Sequence, residues 1–121
     1  MNVLFKQVDV FSTTRYGGNP FGVVLLGDNH QLTSSQMQKF AAWTNLSETT
    51  FILPPTHIDA DYQLKIYTTT RELPFAGHPT LGMLTICLLD DLLLCCVKMY
   101  YKLIDYIIFC FVNIYIYLYI V

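Results

Sequence analysis

The chain has 121 residues, enough for one small domain with its own hydrophobic core and too few for two domains of typical size. Seven Lys and Arg against nine Asp and Glu residues give a formal net charge of -2, so no basic surface points to nucleic acid. The apolar share of 54% exceeds that of a usual soluble domain, and after Asp91 the only charged residues are Lys98, Lys102 and Asp105.

The first predicted elements are two strands separated by a turn. Val3–Phe11 is rich in β-branched and aromatic residues, which predicts a strand. Gly-Gly-Asn-Pro at residues 17–20 is a strong turn signal, and the short apolar run Phe21–Leu26 predicts a buried strand.

A helix is predicted next. Thr33 and Gln36 fit a capping box, in which each side chain satisfies a free backbone N–H of the first turn. The helix should extend to about Trp43, and we expect Trp43 to fill the core beside it. A half-buried stripe at helical spacing is formed by Met37, Phe40, Ala41 and Thr44.

The next segments predict two strands and a second helix. Thr49–Leu53 is an apolar strand that ends at two prolines, and Tyr62–Thr68 alternates as a strand with one buried face. Thr69–Pro74 is predicted as a loop. Pro79 suits the first turn of a helix, and Leu81–Leu89 is apolar almost all round, so that helix must be enclosed. The predicted order is β-β-α-β-β-α, with the last helix at the core of a wrapped sheet.

Glu48 is the first candidate for chemistry. It follows Asn45-Leu46-Ser47 and stands directly before the apolar strand Thr49–Leu53. A carboxylate held at the edge of a core suits a general acid or base. The alternative is an ordinary surface glutamate at a strand start, which spacing alone favours.

The second candidate is the motif Gly77-His78-Pro79-Thr80. Gly77 allows a ligand to approach the backbone closely, and the free N–H groups at the start of the following helix favour an anion such as a carboxylate. His78 and Thr80 can add hydrogen-bond donors. The alternative is a helix start with a satisfied histidine. Asn19 is a further candidate, because its segment either shapes one wall of a site or is simply a tight turn.

Metal, disulfide and secretory signals are weak. The four cysteines stand at positions 87, 95, 96 and 110, without the spacing of a zinc site. We therefore expect buried thiols, no metal and no disulfide. The N-terminus lacks the long apolar stretch of a secretory signal, and thiols buried in a reducing compartment favour a cytoplasmic location.

Four short motifs are more specific in combination than any one of them is alone. In chain order they are Val8-Asp9-Val10-Phe11, Gly18-Asn19-Pro20, Asn45-Leu46-Ser47-Glu48-Thr49, and Leu73-Pro74-Phe75-Ala76-Gly77-His78-Pro79-Thr80-Leu81-Gly82. Over roughly residues 3–89 the chain resembles the phenazine-biosynthesis (PhzF-like) isomerases, of the diaminopimelate-epimerase-like fold. This resemblance implies an α+β fold of two similar lobes, each a curved, mostly antiparallel sheet wrapped around a central helix, with the active site in the cleft between them.

The resemblance also implies a chemistry. The family's catalytic acid/base falls on Glu48, and its substrate-holding motif falls on Gly77, His78, Pro79 and Thr80. No cofactor is needed, and the substrate is a small carboxylated molecule within which one proton is moved. Similar epimerases use a cysteine pair, whose first member falls near Ala76, so a single carboxylate does the work here. The second lobe, which supplies an aspartate and the other wall of the cleft, has no counterpart in the sequence. We therefore expect a chain truncated to one lobe and inactive alone.

The segment after residue 89 has a different character. We expect residues 1–89 to form the lobe and residues 90–121 to be an apolar tail. The tail is interpreted as a membrane anchor over 103–121, as a strand pair, or as translated intron or shifted-frame sequence, and the composition favours the last. Alternative functions are a non-catalytic lobe that binds a partner or forms a homodimer, and a small protein tethered to a membrane.

Overall fold

The computed structural model describes residues 3–12, 14–27, 31–60, 62–80 and 119–120. Residues 77–80 are helical as well. The strands and the helix of this part of the chain are β1 (Leu4–Val10), β2 (Asn19–Leu25), α1 (Ser34–Thr44), β3 (Thr49–Leu53), β4 (Gln63–Tyr67), β5 (Glu72–Leu73) and β6 (Tyr119–Ile120).

The described strands form one mixed sheet in the order β5-β4-β3-β2-β1-β6. Strands β2 and β3 are parallel, with Gly22 opposite Thr49, and α1 makes the crossover that a parallel pair requires. The other neighbouring strands are antiparallel. This mixed sheet with α1 agrees with the predicted α+β class. The predicted central helix, Leu81–Leu89, lies outside the described residues, so the wrapping of the sheet around it stays a prediction.

Strand β2 begins earlier than predicted. Asn19 lies opposite Val10 and Pro20 lies opposite Asp9, so both residues are part of the sheet and not of the turn. The turn ends at Gly18, whose place allows no side chain: a Cβ there would lie 2.1 Å from the carbonyl oxygen of Val10. The steric fit of this glycine brings Asn19 onto the strand.

Helix α1 confirms the predicted capping box. The Thr33 hydroxyl accepts from the N–H of Gln36, and the Gln36 side chain accepts from the N–H of Thr33. Met37 and Ala41 are buried as expected. The prediction for Trp43 was wrong, because its side chain is 79% exposed. The helical period places Trp43 outside the buried face of α1. The centroid of its ring lies 5.9 Å from that of Phe40.

Apolar side chains pack on both faces of the sheet. Residues of α1 join one cluster, which consists of Val24, Leu26, Met37, Ala41, Phe51 and Tyr67. Alternate positions of β2 and β3, together with two residues of β1, form the cluster on the other face, which consists of Val8, Val10, Phe21, Val23 and Ile52. A sheet buried on both faces explains the near-continuous apolar runs of β2 and β3.

A short strand lies within the segment predicted as a loop, Thr69–Pro74. The N–H of Thr68 donates to the carbonyl of Arg71 at 2.8 Å, which closes a tight turn. The chain therefore returns along β4, and Leu73 lies opposite Ile66. In the tail, β6 pairs with β1 opposite Val8 and Asp9. The rest of residues 90–121 lies outside the described part.

Candidate active site

Glu48 is placed by the parallel pair of strands. It directly precedes β3, and its carbonyl oxygen accepts from the N–H of Gly22 on β2 at 3.0 Å. The C-cap of α1, Asn45, adopts a left-handed conformation with φ 55°, which turns the chain from the helix towards β3. The Glu48 backbone is thus held by the sheet, while its side chain stands at one end of the β2–β3 pair and is 18% exposed.

The structure brings Glu48 and His78 together. Glu48 Oε2 lies 3.0 Å from His78 Nε2, and the imidazole is only 15% exposed. Oε2 is buried and has no hydrogen-bond partner within the described segments. The two atoms are therefore close enough to interact as charges, but the oxygen does not lie along the hydrogen-bond direction of the ring nitrogen. A lone pair of the carboxylate remains available.

Aromatic rings surround His78. The ring of Phe21 packs edge-on at 5.6 Å between centroids, and that of Phe11 lies at 6.0 Å. Burial among these groups lowers the pKa of His78, and the negative charge of Glu48 opposes that shift. Because burial is the larger cause, the neutral imidazole is favoured.

Asn19 completes the group. Its Nδ2 lies 3.3 Å from His78 Nε2. Its Oδ1 lies 3.2 Å from the hydroxyl oxygen of Ser47, whose single proton is shared between this oxygen and the carbonyl oxygen of Pro20 at 3.0 Å. Three segments that are distant in sequence therefore meet at one end of the β2–β3 pair. They are the start of β2, the residues before β3 and the helical residues 77–80.

The other members of the Gly-His-Pro-Thr motif occupy different positions. Gly77 is exposed, and a Cβ placed on it would meet no atom of the described residues within 4 Å. Pro79 and Thr80 are buried. The Thr80 hydroxyl donates to the carbonyl of Ala76 at 2.7 Å, which satisfies it inside the first helical turn. Gly77 and His78 are thus accessible to a ligand, whereas Pro79 and Thr80 support the turn.

Three residues of this site had no role assigned from sequence. Ser47 anchors Asn19, and the buried Asp9 accepts through Oδ2 from the N–H of Gly18 at 3.3 Å. Phe11 flanks His78 with a φ of 66°, a left-handed conformation that bulky residues rarely adopt. Ser47 and Asp9 stand inside motifs singled out from the sequence, but only the distances between chain segments reveal their contacts.

Neither a metal site nor a membrane span is found in the described part of the chain. No three His, Cys, Asp or Glu side chains come together there as a metal ion would require. No helix there is long and apolar enough to span a membrane, and the apolar run 103–121 lies mostly outside it. The absence of a metal, the absence of a cofactor and the cytoplasmic location stay predictions.

The comparison with known protein families decides the ancestry of this site. The family described as phenazine biosynthesis-like protein, PhzC-PhzF, matches residues 8–101. The chain belongs to this family. The match contains all four motifs on which the resemblance rests, and the predicted domain boundary at residue 89 stays a prediction.

Relatives of this PhzF-like chain include named isomerases. The trans-2,3-dihydro-3-hydroxyanthranilate isomerase of Pseudomonas chlororaphis is 45% identical over 75 residues, which are 62% of this chain and 26% of the relative. Antisense-enhancing sequence 1 of Schizosaccharomyces pombe is 55% identical over 78 residues, 64% of this chain and 26% of the relative. The chain thus matches about a quarter of the length of these curated relatives.

Solved structures show the same fold. The PhzF-family protein of Enterococcus faecalis superposes with a TM-score of 0.64 at 31% identity, covering 75% of this chain and 33% of that one. The PhzF-family protein of Bacillus anthracis also gives 0.64 at 31% identity, covering 77% of this chain and 30% of that one. The mixed sheet with α1 is therefore the PhzF-like arrangement.

Proposed function

We propose that this PhzF-like chain is one lobe of a cofactor-independent isomerase, which moves a proton within a small carboxylated substrate. This lobe carries Glu48, the general acid and base of the reaction. The contact between Glu48 Oε2 and His78 Nε2 carries the proposal. A buried carboxylate oxygen without a hydrogen-bond partner is suited to take a proton from carbon, because no donor among the described residues competes for its lone pair.

The surrounding residues fit this role. His78 supplies a mostly neutral imidazole beside the carboxylate, which leaves the negative charge of the carboxylate unneutralised. No atom of the described segments would lie within 4 Å of a Cβ on Gly77, and this space can take a substrate next to the pair. In this proposal Asn19, Gly77 and His78 contact or orient the substrate. Pro79 and Thr80 do not touch the substrate but shape the turn that holds Gly77 and His78.

We further propose that the chain alone has negligible activity. Proton transfer at carbon needs a closed site that holds the substrate in a reactive position. The matched segment is about a quarter of the relatives' length, and this segment by itself offers one side of such a site. The substrate class follows from the name of the Pseudomonas chlororaphis relative, which acts on a ring that bears a carboxylate.

A chimera tests the proposal. The matched segment of the Pseudomonas chlororaphis isomerase is replaced by the corresponding residues of this chain, and turnover of trans-2,3-dihydro-3-hydroxyanthranilate is measured. We expect an active chimera that loses about two or more orders of magnitude in kcat with Glu48→Gln. Glu72→Gln is the matched control, since Glu72 lies on β5 and contacts Tyr67 and Lys65. A folded chimera whose turnover survives Glu48→Gln would refute the assignment.

One observation favours a second function, association with another copy of the chain. The exposed ring of Trp43 continues a row of aromatic rings through Phe40 to Phe5, with centroids 5.9 and 5.6 Å apart. Such apolar surface is used in protein contacts. Sedimentation velocity over a range of concentrations should then show a dimer that Trp43→Gln weakens and His57→Gln does not. A monomer at every concentration would exclude it.

A further inference from the structure

The amide of Asn19 is fixed by several contacts. Its backbone pairs with Val10 in the sheet, and the preceding residue, Gly18, donates its N–H to Asp9 Oδ2 at 3.3 Å. The Ser47 hydroxyl lies 3.2 Å from Asn19 Oδ1. The single hydroxyl proton of Ser47 is shared between this oxygen and the carbonyl oxygen of Pro20, which lies at 3.0 Å. The amide oxygen therefore faces Ser47, and the amide nitrogen faces His78.

This orientation restricts the proton on His78. Asn19 Nδ2 is a donor only, and it lies 3.3 Å from His78 Nε2. The contact is a hydrogen bond only if Nε2 carries a lone pair, since a proton on Nε2 would set two N–H groups against each other. A neutral imidazole with a free Nε2 has its proton on Nδ1.

We infer that Asn19 is a positioning residue that holds His78 in the neutral Nδ1–H tautomer and so keeps the imidazole from forming a charged hydrogen bond with Glu48. The tautomer is a property of this chain alone, whereas its catalytic consequence rests on the proposed function. That consequence is that Glu48 Oε2, although 3.0 Å from Nε2, keeps its lone pair for the substrate.

The charged groups around His78 make the role of Asn19 necessary. Within the described residues, Glu48 faces the ring from the segment before β3, and Asp9 lies on β1 beside the turn that leads to Asn19. The carboxylate of Glu48 favours a proton on the imidazole. The rings of Phe11 and Phe21 carry no charge and disfavour the imidazolium by excluding water. Without the donor of Asn19, Nε2 would be free to take a proton and pair with Glu48.

The test reads the tautomer directly. Long-range ¹H–¹⁵N correlation spectra of the ¹⁵N-labelled 121-residue chain distinguish Nδ1–H from Nε2–H, and comparison with His78→Gln assigns the ring. At about pH 8, where an imidazole is neutral, we expect the Nδ1–H pattern. Asn19→Leu removes the donor at similar size, and Asn19→Asp replaces it with an acceptor. Both should convert His78 to the Nε2–H pattern, while the signals of His57 stay unchanged.

Three outcomes overturn the inference. The wild-type chain could show Nε2–H, which would mean that the amide faces His78 with its oxygen. Alternatively, both Asn19 variants could fold, as judged by circular dichroism, and keep the Nδ1–H pattern. If neither variant folds, Ser47→Ala decides, because it keeps the amide and removes only its anchor. We expect it to give a mixture of tautomers, and an unchanged pattern would refute the inference. Since no substrate is used, an inactive chimera with an intact Nδ1–H pattern would refute the proposed function alone.

Discussion

Glu48 Oε2 lies 3.0 Å from His78 Nε2 and nevertheless has no hydrogen-bond partner in the described part of the chain. An unsatisfied buried polar atom costs about 1–3 kcal/mol of stability. The backbone of Glu48 is fixed by the sheet, because its carbonyl accepts a hydrogen bond from the N–H of Gly22. The carboxylate is therefore kept at this buried position. A native fold that keeps such an atom beside an imidazole has a structure suited to binding a ligand there.

Stability should depend on the titration of His78. Because burial lowers the pKa of His78, the folded protein binds fewer protons than the unfolded chain in mildly acidic solution. The contribution is therefore complete above the unfolded value of about 6.5 and is lost as the pH falls through the lower folded value. Urea unfolding midpoints, measured across this pH range, should decrease less steeply with falling pH in His78→Gln than in the wild-type protein. In His57→Gln they should decrease as in the wild type. Equal slopes for all three proteins would show that His78 is not the source.

Removal of the Glu48 charge should lower the pKa of His78 further. The Glu48 carboxylate favours the imidazolium and partly offsets the lowering of the His78 pKa by burial. In Glu48→Gln this offset is lost, and burial alone then determines the direction of the shift. An NMR titration of the His78 ring protons measures the change. Glu72→Gln is the control, because Glu72 contacts Tyr67 on the other side of β3. A rise of the His78 pKa in Glu48→Gln would contradict this view of the pair.

Gly18 should tolerate no side chain. A Cβ there would lie 2.1 Å from the carbonyl oxygen of Val10 and 2.5 Å from Asp9 Oδ1. Since a backbone atom cannot yield without shifting β1, Gly18→Ala should lower the free energy of unfolding by about 1–3 kcal/mol.

Gly27→Ala is the matched control, because a Cβ at Gly27 meets no atom of the described part of the chain within 4 Å. Urea denaturation of both variants measures the difference. Equal stability would mean that the turn can move away from β1, and the placement of Asn19 would then not depend on Gly18.

The Phe11→Gly variant should be more stable than the Phe11→Ala variant. Its φ of 66° is strained for any residue with a Cβ, at a cost of about 1–2 kcal/mol. Phe11→Ala loses the ring and keeps this strain, whereas Phe11→Gly loses the ring and relieves it. The free energy of unfolding should therefore be about 1 kcal/mol higher for Phe11→Gly. If the alanine variant is the more stable one, residue 11 does not carry this strain.

Features that depend on neighbours in sequence were predictable from the sequence. The capping box of Thr33 and Gln36 is confirmed, because both partners lie within one helical turn. The strand Thr49–Leu53 has the predicted bounds, since an apolar run ended by two prolines defines it locally. Glu48 and the residues Gly77 to Thr80 were found as separate motifs, each with an ordinary structural alternative.

Features that depend on distant residues required the tertiary structure. Trp43 is exposed and Asn19 belongs to β2, because packing and strand pairing place them, and neither is encoded in the adjacent residues. Asn19 and His78 are 59 residues apart and meet at 3.3 Å. The parallel pairing of β2 with β3 brings the start of β2 beside Glu48, and the helical residues 77–80 then place His78 between them. Residue types and local periodicity identify candidate side chains, but only long-range pairing of the backbone brings them within reach of one another.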